Sequence, residues 1–223
     1  MARSRTTVIL VAGLILAGGC SDSQESRIEG SGIVISETRA LSDVRAVSLA
    51  SVGNVDVLIG DEESIVLEGE DNLIPFITTD VTDGVLTIDV KDETSLDLTR
   101  TMHFQVTVSR LELAEISGAG TISIGDPGND RIELSIPGAG TISAAGTVDQ
   151  LTASISGTGT VDASQLVADD VIVQVSGAGN TTVWASDTLV VTLSGAGDVS
   201  YWGDPEVQQT ITGAGGLRSL GAR

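Results

Sequence analysis

Ile116-Ser117-Gly118-Ala119-Gly120-Thr121-Ile122-Ser123-Ile124 opens a pattern that recurs through the C-terminal half of this 223-residue chain. Its relatives are Ile136-Pro137-Gly138-Ala139-Gly140, Ile155-Ser156-Gly157-Thr158-Gly159, Val175-Ser176-Gly177-Ala178-Gly179, Leu193-Ser194-Gly195-Ala196-Gly197 and Ile211-Thr212-Gly213-Ala214-Gly215. The first glycines stand at 118, 138, 157, 177, 195 and 213, which gives steps of 20, 19, 20, 18 and 18 residues. So regular a period means one structural coil per repeat, each stacked on the last.

The columns of the repeat say how each coil is built. Two places before the first glycine stand Ile116, Ile136, Ile155, Val175, Leu193 and Ile211, and four places before stand Ala114, Leu134, Ala153, Val173, Val191 and Gln209. Six places before come Glu112, Ile132, Leu151, Val171, Leu189 and Val207. Alternation of this kind points one column inward on a strand and turns Ser117, Pro137, Ser156, Ser176, Ser194 and Thr212 outward. After the glycines it resumes, with Ile122, Ile142, Val161, Thr181, Val199 and Leu217 facing in, followed by Ile124, Ala144, Ala163, Val183, Tyr201 and Ser219. Each coil therefore holds at least two inward-facing strands joined at a Gly-x-Gly corner, where glycine permits positive φ and close backbone approach. The chain reads as all-β: a parallel β-solenoid with coils of about 18–20 residues, regular over 111–223.

The region 33–110 reads as less regular β coils or a cap, continuous with the repeats in one domain. Its β-prone runs include Val85-Leu86-Thr87-Ile88-Asp89-Val90 and Phe104-Gln105-Val106-Thr107-Val108. Leu49-Ala50-Ser51-Val52-Gly53-Asn54-Val55-Asp56-Val57 aligns position for position with 116–124, a worn copy of the corner. Residues 61–110 carry no repeat and are expected to form irregular coils or a small antiparallel capping layer.

Residues 1–19 read as a signal peptide: Arg3 and Arg5, the apolar run Val8 to Ala17, then Ala17-Gly18-Gly19-Cys20. Ten apolar residues are too few for a bilayer, which needs about 20. The arrangement resembles a bacterial lipoprotein signal, in which Cys20 becomes the lipidated (palmitate-bearing) first residue of the mature chain. Ser21 after it favours outer-membrane sorting in a Gram-negative cell. Cys20 is the only cysteine, so no intramolecular disulfide can form, and acylation accounts for the lone thiol. Residues 20–32 then read as the lipidated cysteine and a flexible tether.

Leaving out Arg3 and Arg5, nine basic residues face 31 acidic ones, a net charge of about −22. Such a surface repels nucleic acid and anionic headgroups, and serves solubility. Aromatic residues are only 2% of the chain, so little material exists for the stacking platforms that sugar-binding proteins use.

The chain is similar to the head-GIN family of bacterial exported domains, described as autotransporter-adhesin heads. Val44-Arg45-Ala46-Val47 leading into Val52–Val57 carries the first part of the match. Val66-Leu67-Glu68-Gly69-Glu70-Asp71-Asn72-Leu73 with Asp83-Gly84-Val85-Leu86-Thr87-Ile88 carries the second, and Leu113–Gly120 the third. The resemblance spans about 33–220 and implies a right-handed parallel β-helix at the cell envelope. It brings no catalytic residues.

Enzyme chemistry needs clustered acids with a base or paired carboxylates. The strand-face acids Glu133, Asp162 and Asp198 are sparse, and Arg131 and Arg218 are the only basic residues between 111 and 222. His103, the single histidine, sits beside Phe104 in an alternating strand without a Ser or Cys nucleophile signature. Gly195-Ala196-Gly197-Asp198 is similar to a calcium nonapeptide, but the equivalent places hold Thr121, Thr141, Thr160, Asn180 and Gly216, so no oxygen ladder forms. No helix follows the glycine pairs, which excludes a dinucleotide fingerprint. Asp61-Glu62-Glu63 and Glu68-Gly69-Glu70-Asp71 read as solvated loop charge. No catalytic, cofactor or metal site is expected. The expected function is a non-enzymatic envelope lipoprotein presenting a β-solenoid head for adhesion to a glycan or envelope protein, with self-association open to it. A polysaccharide-active β-helix enzyme and a structural or regulatory envelope component are the alternatives.

Overall fold

Aliphatic and small polar residues alternate along almost every segment, and each alternating run becomes a strand. The computed structural model describes residues 26–92 and 94–222, so residues 1–25, with the expected signal peptide and Cys20, lie outside the described residues. The first half holds β1 (Ser26–Glu29), β2 (Val34–Ala40), β3 (Ala46–Leu49), β4 (Val52–Ile59) and β5 (Ser64–Glu70). After a 3-10 turn at Ile74–Phe76 come β6 (Ile77–Thr82), β7 (Val85–Val90), β8 (Thr94–Asp97) and β9 (His103–Val108). The repeats supply β10 (Leu113–Ile116), β11 (Ala119–Ile124), β12 (Arg131–Ile136), β13 (Ala139–Ile155), β14 (Thr158–Val175) and β15 (Ala178–Leu193). Three shorter strands follow: β16 (Val199–Trp202), β17 (Glu206–Ile211) and β18 (Leu217–Gly221). No α-helix occurs among the described residues.

Parallel pairing stacks these strands into walls. One wall runs β7, β3, β10, β12, then the later parts of β13, β14 and β15, and ends at β17. The second runs β9, β4, β11, then the early parts of β13, β14 and β15, and ends at β16 and β18. The sequence repeat discloses only these two. The middles of the long strands form a third wall: Ala145–Val148 pairs with Gln165–Ala168, and Val148, Leu166, Ala168 and Ala185 turn inward. The aliphatic columns read from the sequence fill the interior as one continuous core.

Stack order and chain order diverge at the N-terminal end. The worn copy, β3 with β4, lies between the coil made by β7 and β9 and the coil made by β10 and β11. The segment 61–110 therefore supplies a parallel coil as well as an antiparallel layer, in which β5 joins β9, β2 joins β5 and β6 joins β7. Both alternatives read from the sequence are present together.

Close approach explains the glycine corners. A Cβ on Gly138, Gly157, Gly177, Gly195 or Gly213 would collide with the main-chain carbonyl of the equivalent glycine one coil below. The second glycines meet the same obstacle: Gly140 against the carbonyl of Gly120, Gly159 against that of Gly140. Positive φ is not the shared reason, because Gly138, Gly157 and Gly177 do not adopt it. Amide-to-carbonyl bonds then run coil to coil, as in Ala139 N–H to Gly118 O at 2.9 Å and Thr158 N–H to Gly138 O at 2.9 Å.

Two expectations need correction. Glu112 is exposed rather than inward, and the neighbouring Leu111 is buried in its stead. An unpaired carboxylate cannot enter an aliphatic interior cheaply, and Glu112 instead receives the Arg110 guanidinium at 3.1 Å on the surface. The tether expected over 20–32 is in part structured. β1 pairs with β8, Arg27 meets Asp97 at 2.7 Å, and Asn72 binds the Ser31 amide and the Glu29 carbonyl.

At the C-terminal end, among the described residues, β17 pairs only with β15 and β18 only with β16. Val207, Gln209, Ile211, Leu217 and Ser219 are accordingly half-buried or exposed, although their columns are buried in most coils beneath. Two of the five are polar, which suits a rung covered on one side only.

Candidate functional site

The outward face of the second wall is a grid of small polar side chains in strict register. Asn54, Thr121, Thr141, Thr160 and Asn180 occupy successive rungs. Two residues further along, Asp56, Ser123, Ser143, Asp162, Thr182 and Ser200 do the same. Parallel strands set the rungs about 4.8 Å apart, and alternate residues lie about 6.6 Å apart along each strand. The column stitches itself together: Thr121 Oγ1 donates to Asn54 Oδ1 at 2.7 Å, and the Asp198 amide to Asn180 Oδ1 at 3.0 Å. Asp198 Oδ1 in turn accepts the Gly216 amide at 3.0 Å.

One more alternation brings two tryptophans onto the grid's edge. Trp184 follows Asn180 and Thr182 at the same parity, and Trp202 follows Asp198 and Ser200. The two indoles belong to paired residues of neighbouring rungs, and both are half-buried. The sequence reading found too few aromatics for a platform. The signal was available: 184 and 202 differ by 18, the local repeat, so the chain's only tryptophans must be vertical neighbours.

At the grid's other end stands His103, exposed, between Asn54 on β4 and Glu68 on β5. Asp56, Leu58, Glu68, His103, Gln105 and Ser123 line an open groove of about 700 Å³ there. The remaining expected acids are not brought together. Glu133 is on the first wall, while Asp162 and Asp198 sit two rungs apart on the second. A different set does converge: Glu112, Asp130 and Asp149 line an open groove of about 500 Å³ with Arg131. Sequence reasoning missed this cluster because it placed Glu112 in the inward column, while Asp130 and Asp149 fall outside the aliphatic columns.

The acidic runs hold the cap together. Glu63 accepts the Val44 amide at 3.1 Å through one oxygen and the Ser109 hydroxyl at 3.1 Å through the other. Burial pushes its pKa up, yet these bonds leave it below the usual carboxylate range. Glu70 is fully buried and accepts four hydrogen bonds: Thr99 Oγ1 at 2.6 Å and the amides of Gly32, Thr99 and Arg100 at 2.6, 3.0 and 3.3 Å. The Thr99 hydroxyl, with the three amides, outweighs burial and keeps this carboxyl below its ordinary value. Gly30 presses so close to it that a Cβ would strike the carboxylate. Among the described residues, no three His, Cys, Asp or Glu side chains are grouped to hold a metal ion.

A stacked parallel β-solenoid with a polar outer wall and an antiparallel cap is thus the class this chain defines. It belongs to the family described as "Putative auto-transporter adhesin, head GIN domain", whose model matches residues 43–205. Among solved structures, it resembles a putative adhesin from Bacteroides fragilis at 18% identity and a TM-score of 0.69, covering 86% of this chain and 100% of that one. It also resembles a putative lipid binding protein from Parabacteroides distasonis at 19% identity and a TM-score of 0.55, covering 87% and 100%. No curated protein matches it. At these identities the likeness is one of fold, and the names given to family and neighbours speak of adhesion or binding.

Proposed function

We propose that this protein is a non-enzymatic envelope lipoprotein whose head adheres to glycan through the second wall, at the patch formed by Trp184, Trp202, Thr182, Ser200, Asn180 and Asp198. The in-register tryptophan pair carries this reading. Indole faces pack on the apolar faces of sugar rings, while hydroxyl, amide and carboxylate neighbours take up their hydroxyls. A grid repeating every rung suits a polymer, because successive sugars meet equivalent partners. The strongly negative surface points to neutral or basic glycans rather than acidic ones. The adhesin names of the family and of the Bacteroides fragilis structure support the assignment.

Binding of the full chain to a panel of neutral and amino-sugar polysaccharides tests it. Each of Trp184→Ala and Trp202→Ala should weaken the best binder about tenfold, equivalent to ~1.4 kcal/mol. Undiminished binding in both variants would refute the assignment. Anchoring rests on Cys20, with the outer membrane as destination in a Gram-negative cell. Cys20→Ser should move the protein from the membrane to the soluble fraction, and continued sedimentation with membranes would remove the lipoprotein reading.

The groove of Glu112, Asp130, Asp149 and Arg131 is the feature that favours the second reading, a polysaccharide-active enzyme. Release of reducing ends or unsaturated sugars by the purified chain, abolished by Asp130→Asn with Asp149→Asn, would establish it over the first.

A further inference from the structure

Ser51 breaks the rule of the corner. In every later coil its place is taken by glycine, because the carbonyl of the coil below fills the space a Cβ would need. Ser51 keeps its side chain because the coil below it turns no such corner. After Val90 the chain leaves the stack through residues 91–102, pairs β8 with β1, and returns only at His103. The space that a Gly-x-Gly corner takes elsewhere becomes a cavity of about 430 Å³. Ile77, Val90, Leu96, Leu98 and Met102 form its apolar side, and Ser51, Asp89, Thr94 and Ser95 supply its polar groups. Ser51 is 6% exposed, and its Oγ is buried without a hydrogen-bond partner.

A buried hydroxyl that makes no bond is costly, and a mainly apolar cleft with a few polar groups is the usual form of a small-ligand site. We propose that this corner cavity binds a neutral amphiphile. Its alkyl chain would lie along Leu96, Leu98 and Met102, and its hydroxyl or carbonyl oxygen would bond to Ser51 Oγ. The Asp89 carboxylate on the rim and the net charge of −20 oppose an anionic headgroup. The residues involved are separate from the tryptophan patch, so this assignment stands or falls independently of the glycan reading.

Titration calorimetry of the full chain with octan-1-ol, hexan-1-ol and octanoate tests the proposal. Octanol should bind saturably at one site. Each buried methylene is worth about fourfold in affinity, so hexanol should bind about fifteenfold more weakly. Octanoate should bind at least tenfold more weakly than octanol. Ser51→Gly, which installs the residue of every later coil, should weaken octanol about tenfold while leaving the melting temperature within a few degrees. Leu96→Trp, which fills the cavity, should abolish saturable binding. If Leu96→Trp fails to fold, the Ser51→Gly result decides alone. Lack of saturable octanol binding by the wild-type chain overturns the site. Octanoate binding as tight as octanol, or full affinity in Ser51→Gly, overturns the assigned ligand chemistry.

Discussion

Gly157→Ala puts the stacking argument at risk most directly. Gly157 lies mid-stack, its amide bonded to the Ile136 carbonyl at 3.0 Å and its own carbonyl accepting the Ala178 amide at 2.9 Å. A Cβ there would strike the carbonyl oxygens of Gly138 and Pro137, which are main-chain atoms held by the coil below. Neither can swing aside as a side chain would, so the two coils must part. Overpacking of this kind costs about 1–3 kcal/mol. Two strained intercoil hydrogen bonds add about 1–3 kcal/mol at ~1 kcal/mol each. The expected loss is about 4 kcal/mol, and at ~2–4 °C per kcal/mol for a chain of this size the melting temperature should fall by about 8–16 °C. Gly125→Ala is the internal control, since a Cβ at that position meets nothing within 4 Å. It should be neutral, or stabilising by about 0.4–1 kcal/mol through the unfolded chain. Thermal melts and guanidinium titrations followed by circular dichroism measure both. A Gly157→Ala protein melting within 2 °C of wild type, or an equal loss in Gly125→Ala, would refute the close-approach account of the corners.

Thr181 stands in the inward column between Val161 and Val199, 1% exposed, with its hydroxyl unbonded. Thr181→Val should stabilise by about 1–2 kcal/mol, seen as a higher denaturant midpoint; a lower midpoint would mean that the hydroxyl has a partner. Glu70 has its folded-state pKa depressed, so its contribution is complete above the ordinary glutamate value and is lost as pH falls through the lowered one. Glu70→Gln should therefore flatten the acid side of the stability–pH profile, measured by urea midpoints from pH 7 to pH 3, and parallel profiles would count against the clamp. Arg27 and Asp97 are both substantially exposed, so Arg27→Ala should barely move the urea midpoint despite a 2.7 Å contact. A larger loss in the same denaturant titration would mean that this pair holds β1 in place.

The aliphatic columns and the Gly-x-Gly period were legible because each regular coil repeats one chemical rule, and even Leu49–Val57 kept enough of it to be aligned. The coil of β7 and β9 was hidden, because residues 91–102 replace its corner and remove the glycines that mark the others. The third wall was hidden for a related reason. Its inward residues, Val148, Leu166, Ala168 and Ala185, follow bends of differing length, with register shifts near Ala145 and Val167, so no fixed spacing exposes them. Of the proposed glycan patch, the polar columns were visible as Thr121 through Asp198, while the pairing of Trp184 with Trp202 follows only once the period is applied to the aromatics. Glu112 fitted its column by count, but an inward place there would have left its charge unsolvated.

The interleaved cap makes the two ends of the molecule unequal in what evolution can do with them. The coil of β3 and β4 is held between segments that come later in the chain, so nothing can be inserted or removed there without unpicking three levels at once. Beyond β11, each level follows its predecessor in order and pairs with its neighbours in the stack. Duplication of an 18–20-residue unit in that stretch lengthens the molecule by one rung, about 4.8 Å, without disturbing the rest. The height of the stack above the cap is thus a heritable quantity that changes in fixed increments, while the cap stays the same.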